Sequence, residues 1–262
     1  KLACTTADTS IASGEVFDIQ QRFEGQNLQG FAKGTSDAKP FALSFYVKGN
    51  ASATYVAELY DADNNRQISK TFNVTTDWER VELTYPADTT GAFDDDNAIS
   101  LYLVIWLHAG SNLTSGTLNS SAWASSTQAN RVVGISSFFD STDRTFFITG
   151  VQLEVGQNPT AFEHEPFERT LAKCQRYYQV IGFNNQDYPP TNGYLDCQVN
   201  FPTEMRAVPS AAITDGTKGG LSATATAAHN ITTTGCRVEN QTSGNGSRAY
   251  HLGGSVAFSS EL

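Results

Sequence analysis

Apolar and polar residues alternate with a period of two through most of the first 165 positions. Leu43, Phe45 and Val47 are interleaved with Ser44, Tyr46 and Lys48, and Tyr55, Ala57 and Leu59 with Val56, Glu58 and Tyr60. Val81 and Leu83 alternate with Glu82 and Thr84; Leu101, Leu103, Ile105 and Leu107 alternate with Tyr102, Val104 and Trp106. Such alternation marks antiparallel strands that bury one face. Asp61-Ala62-Asp63-Asn64-Asn65 and Asp94-Asp95-Asp96-Asn97 carry turn chemistry between these strands. The spacing predicts an all-β protein whose N-terminal part is a two-sheet sandwich of jelly-roll topology.

The alternation ends in Phe147-Ile148-Thr149-Gly150-Val151-Gln152-Leu153-Glu154-Val155-Gly156. Gly150 invites a bulge, and Gly156 and Pro159 stop the strand. From Phe167 the period changes: Phe167, Leu171, Cys174 and Tyr178 are spaced four, three and four apart, which places them on one helical face. The reading is a sandwich over residues 1–165, a short helical connector over 166–180 and a small C-terminal β-module over 181–262. Tyr194 to Phe201 and Ala211 to Thr214 read as strands, with Pro189-Pro190 and Pro202 as punctuation. Short strands in the Gly-, Thr-, Ser- and Asn-rich remainder end with Gly254 to Phe258. A module with so little apolar material gains core from neighbouring copies.

Composition narrows the function classes. Of 262 residues only 17% are charged, and the net charge of -10 opposes nucleic acid, whose binding needs Lys and Arg to displace counterions. Anionic membrane surfaces are disfavoured for the same reason. No apolar run approaches the roughly 20 residues of a membrane span, and no signal peptide is recognised. Lys1 is expected to follow an upstream attachment segment. Cys4, Cys174, Cys197 and Cys236 lie far apart without a Cys-x-x-Cys pair, which favours free, mostly buried thiols.

Several blocks occur in an order that resembles a family. Gln21-Arg22-Phe23-Glu24-Gly25-Gln26, Ala42 to Lys48 and Asp88-Thr89-Thr90-Gly91 precede the Ile148-to-Glu154 strand. Pro159-Thr160-Ala161-Phe162-Glu163, Cys174-Gln175-Arg176-Tyr177-Tyr178 and Phe201 to Ala207 with Pro209 follow it. Together they resemble bacteriophage tail-fibre and virion structural proteins, particularly of phages of aquatic bacteria. The resemblance implies a virion component on the tail or capsid surface, with a carbohydrate-binding-module-like jelly roll and no characteristic catalytic motif. It further implies a homotrimer that contacts other virion proteins and host surface polysaccharide. Leu171, Cys174, Tyr177 and Tyr178 would form an inter-domain or inter-subunit joint. The alternatives are a capsid-decorating fibre without a receptor, and a carbohydrate-binding module of a secreted glycan-degrading enzyme.

Residue chemistry adds one positive hint. There is no Gly-x-Ser-x-Gly elbow, and His108, His164, His229 and His251 fall in unrelated contexts. Asp61-x-Asp63-x-Asn65 lacks the glycine and glutamate of a calcium loop, having Arg66 and Phe72 there. Asp94-Asp95-Asp96 offers oxygen ligands for a structural calcium ion, although a solvated turn explains it more simply; no other cofactor is expected. No carboxylate pair stands out for glycoside hydrolysis, and the sequons at Asn50, Asn73, Asn112 and Asn230 are ascribed to chance. By parity Tyr102 and Trp106 point away from the core, as do Tyr46 and Tyr60. A concave face carrying them would stack on sugar rings with Glu58 and Lys48 as hydrogen-bond partners, unless a subunit or the 112–130 loop covers it. Trp123 lies in that loop, where it either contacts a ligand or caps the sandwich. Trp78, at a strand start, reads as structural.

Overall fold

The computed structural model describes residues 1–188, 193–221, 226–241 and 249–261; Pro189-Pro190 lies outside them. Two compact units are formed, Lys1–Glu163 and His164–Leu262. In the first, the strands are β1 (Leu2–Ala3), β2 (Val16–Glu24), β3 (Phe41–Gly49), β4 (Ala53–Asp61), β5 (Arg66–Val74), β6 (Glu79–Tyr85) and β7 (Ile99–Ala109). After a one-turn helix, α1 (Ser111–Thr114), come β8 (Ala124–Ser125) and β9 (Thr145–Val155). They form two antiparallel sheets in the orders β1-β9-β3-β6 and β2-β7-β4-β5-β8. With β8 set aside as an edge addition, this connectivity is that of a jelly roll.

The inward residues are those the alternation selects. Leu43, Phe45 and Val47 of β3 meet Tyr55 and Leu59 of β4 and Leu101, Leu103 and Leu107 of β7 in one buried cluster. Gly150 does introduce a bulge: Tyr46 pairs with Thr149 but Ser44 with Gln152, and Gly150 has φ +60°. The register shift turns Gln152 and Glu154 outward, where they hold the chain that follows. Gln152 accepts the Glu163 N–H at 2.8 Å, and Glu154 accepts the N–H and hydroxyl of Thr160 at 2.7 and 2.8 Å. Arg80 donates to the Thr160 carbonyl, and Thr84 to that of Gln157. The segment after β9 is therefore a strap across the outer face of its own sheet. Burial would raise the Glu154 carboxyl, but hydrogen bonds from Gln152 and Thr160 and the charge of Arg80 hold it below the ordinary value.

The second unit contains α2 (Phe167–Gln175), β10 (Tyr178–Asp187), β11 (Tyr194–Asn200), β12 (Ser210–Thr214), β13 (Thr217–Gly219), β14 (Ala227–His229), β15 (Gly235–Gln241) and β16 (Ala249–Ser259). Its sheets run β10-β16-β12, with β13 also on β16, and β11-β15-β14. Phe183, Val199, Met205, Cys236, Val238, Val256 and Phe258 form the core between them. One expectation is corrected here. Tyr178 opens β10 instead of lying on the helix, because Gln179, Ile181 and Phe183 already follow strand parity toward that core. The apolar helical face is thus Phe167, Leu171 and Cys174, and α2 buries none of its residues. All four cysteines are free; Cys4 and Cys236 are buried, but Cys174 is exposed.

Candidate functional site

The five-stranded sheet presents three cross-strand rows on its outer face. Pairing aligns Asp18 with Trp106 and Val56, Gln20 with Val104 and Glu58, and Arg22 with Tyr102 and Tyr60. The first row is covered. Leu113 of α1 and Val132 pack with Val56, Val104 and Trp106, so Trp106 is only 4% exposed. Its indole N–H donates to Glu58 at 2.8 Å, and Arg131 donates to the same carboxylate through Nε and Nη2, each at 2.8 Å. Glu58 is fully buried. Burial opposes the charge of Arg131, yet its hydrogen bonds to Glu58 and the charge there raise the pKa of the guanidinium above its ordinary value. The expected roles of Trp106 and Glu58 in sugar contact are replaced by a structural one: they anchor the 111–135 loop.

The third row remains half-exposed. The Tyr60 and Tyr102 rings lie 5.8 Å apart at 58°, with Arg131 5.1 Å over Tyr60 and Arg22 5.6 Å over Tyr102. Tyr60 donates its hydroxyl to Asn65 at 3.0 Å. Gln20 is exposed in the neighbouring row, and Asp18 lies one row further, beside Trp106. Burial, opposed by a bond from Gln20 and by Arg131, raises the Asp18 carboxyl. Two rings and two guanidinium groups, with amide and carboxyl neighbours, offer stacking surface and hydrogen-bonding groups side by side.

The other aromatic candidates are not brought to this row. Tyr46 and Lys48 belong to β3 and so to the outer face of the opposite sheet, where Tyr46 is 38% exposed. Trp123 is 7% exposed; its ring lies 5.5 Å from that of Phe41 and its N–H donates to the Pro86 carbonyl, so it caps an end of the sandwich. Of the joint residues, Leu171 and Tyr178 are 42% and 49% exposed, Cys174 is exposed and Tyr177 is partly buried.

Sequence reasoning missed a buried ionic cage at the same end. Lys33, with no exposed side-chain surface, reaches Asp61 at 2.5 Å, Asp88 at 3.2 Å and the carbonyls of Thr90 and Gly91 at 3.0 and 2.7 Å. Arg66 holds Asp88 from the other side at 2.7 Å. Asp61 also accepts the Asn64 N–H at 3.0 Å, so the calcium-loop resemblance resolves into a hairpin turn closed around an ammonium group. Another grouping missed in sequence is Ser137, whose hydroxyl is 2.8 Å from His108 Nδ1, while Glu15 is 3.9 Å from Nε2. Ser137 also accepts the Phe139 N–H, and His108 is 3% exposed against the Phe139 ring, an arrangement that ties a loop to the end of β7.

No family model matches the chain, and no curated protein matches it. Among solved structures, recombinant discoidin II of Dictyostelium discoideum is similar with a TM-score of 0.24 and 13% identity over 97% of this chain and 80% of that one. The wild-type discoidin II structure gives 0.23 and 15%, over 86% and 73%. Similarity at that level adds nothing to the fold described above.

Proposed function

We propose that the chain is a non-enzymatic virion structural protein, a tail-fibre-like or surface-fibre subunit that adheres to host surface glycans. The half-exposed Tyr60–Tyr102 pair, flanked by Arg22, Arg131 and Gln20 on an outer sheet face, carries the adhesive part of this reading. The ordered blocks around the Ile148-to-Glu154 strand support the virion part. Tyr60 and Tyr102 stack on the apolar face of a sugar ring while the guanidinium and amide groups bind its hydroxyls. Each contact is weak, and copy number multiplies it.

A trimer supplies that copy number. Phe167 at 74% and Leu171 at 42% exposure form an apolar helical face that a second copy would cover. Two measurements test the reading. On a glycan array, the wild type should retain a defined set of glycans and Tyr102→Ala should lose them with its fold intact; retention by the variant overturns the site. Antibody raised against the chain should label intact phage particles, and absence of label from purified particles overturns the virion assignment.

A further inference from the structure

The strap formed by residues 157–163 covers only part of the outer face of the four-stranded sheet. It lies over Gln152, Glu154, Arg80 and Thr84, and Phe162 reaches to within 3.7 Å of where a side chain at Gly150 would begin, next to Tyr46. Beyond Tyr46 the face is only partly covered: Lys48 and Phe147 are half-buried and Trp78 is exposed. There, strand pairing sets Lys48 beside Phe147 of β9, and Trp78 immediately precedes β6 on the other side. The Lys48 ammonium lies 5.8 Å from the Trp78 ring and 5.5 Å from the Phe147 ring, and Lys1 is 5.6 Å from Phe147. The two rings meet edge to face at 6.1 Å. Trp78, expected to be structural, is 49% exposed.

We propose that this ledge is a binding subsite for acidic sugars, the uronate units of an anionic polysaccharide. The proposal extends the adhesive reading to another face of the sandwich, with different residues. Three observations converge on it. A half-exposed indole immediately before β6 supplies a stacking surface. Lys48, fixed between two rings, supplies a cation at its edge. In a chain of net charge -10, neither Lys48 nor Lys1 forms an ion pair among the described residues, so both cations remain available to a carboxylate. The Tyr46 and Phe162 rings mark the border of the strap, which limits the ligand to the side of Trp78.

The tryptophans provide a site-specific probe. Trp106 and Trp123 are 4% and 7% exposed, so acrylamide quenching of tryptophan emission reports chiefly on Trp78. The probes are hexasaccharides of galacturonate, of mannuronate and of hyaluronan, each beside its carboxyl-reduced counterpart. At least one acidic hexamer should protect Trp78 from quenching while its reduced form does not. Lys48→Gln should weaken that binding about two- to fivefold, as expected for one exposed ion pair. Raising salt from about 0.05 to 0.5 M should weaken it further. Equal protection by acidic and reduced sugars overturns the uronate assignment, and no protection overturns the subsite. Protection that grows with protein concentration in the absence of sugar assigns the ledge to a second copy and also overturns it. Loss of glycan retention through Tyr102→Ala leaves the quenching result to be decided by itself, so the two sites fail separately.

Discussion

Replacing Lys33 with Met isolates what the buried ammonium does, because the stem is kept and only the charge and its donors are lost. Four acceptors lose a partner: Asp61, Asp88 and the carbonyls of Thr90 and Gly91. Asp88 retains both bonds from Arg66, at 2.7 and 3.0 Å, and the Thr90 N–H. Asp61, fully buried, retains only Asn64 among the described residues. Removing one member of a buried pair costs about 3–5 kcal/mol, most of it the uncompensated charge left behind. For a unit of this size each kcal/mol moves Tm by about 2–4 °C, so a fall of about 6–20 °C is expected. All three tryptophans lie in the first unit, so urea unfolding followed by their emission reads that unit alone. Asp61→Asn should also destabilise, and the double variant should be less destabilised than the sum, since the orphaned carboxylate is gone. A Lys33→Met variant within about 1 kcal/mol of wild type, or strict additivity, would refute the account.

Two further outcomes concern other buried charges. Arg131→Ala leaves Glu58 with the Trp106 indole as its one side-chain partner among the described residues. It should cost about 3–5 kcal/mol and shift Trp106 emission to the red as the 111–135 loop loosens; unchanged emission would sink the anchoring role. In the second unit, burial lowers the pKa of His251, opposed by Asp215 and aided by Lys218, and its Nε2 accepts the Gly216 N–H at 3.1 Å, as only a neutral ring can. The unfolded chain therefore takes up the proton first as pH falls below about 6.5, and stability is lost from there down to the folded pKa. Calorimetry from neutral to mildly acidic pH should show this slope in wild type and less of it in His251→Gln; parallel curves would remove His251 from the account.

Strand alternation made the core of the first unit legible, and its failures have local causes. β5 escaped notice because Lys70 occupies a core-facing slot between Ile68 and Phe72. The Lys70 ammonium lies 6.0 Å from the Tyr85 ring, with the stem along apolar surface. In β2 the exposed Gln21 interrupts the inward set Phe17, Ile19 and Phe23. β10 was hidden by extending the helical spacing of Phe167, Leu171 and Cys174 one step too far, to Tyr178. The covering of Trp106 had a readable signal: Val104, Ile105, Trp106 and Leu107 are continuously apolar, which marks a strand buried on both faces. Lys33 had none, because its partners come from β4 and the 88–91 turn, far away in sequence.

The block that most resembles the virion family also has a physical explanation in the fold. Gln152 and Glu154 are the outward residues after the Gly150 bulge, and Thr160 and Glu163 are the residues they hold. A strand with these two polar residues and a following segment with Thr and a backbone N–H at matching distance specify a strap. Its position is set by how many residues separate the bulge from Thr160. A Cβ added at Gly150 would lie 3.2 Å from the Tyr46 ring, at a positive φ that side chains resist. Bulge, strap and Tyr46 therefore constrain one another, and the strap's reach determines where the covered polar rows end. Trp78, Lys48 and Phe147 lie beyond that limit. The aromatic rows left uncovered on both sheets are thus set by segments without hydrophobic periodicity, which is why parity alone placed Tyr46 and Tyr102 on one surface when the fold puts them on two.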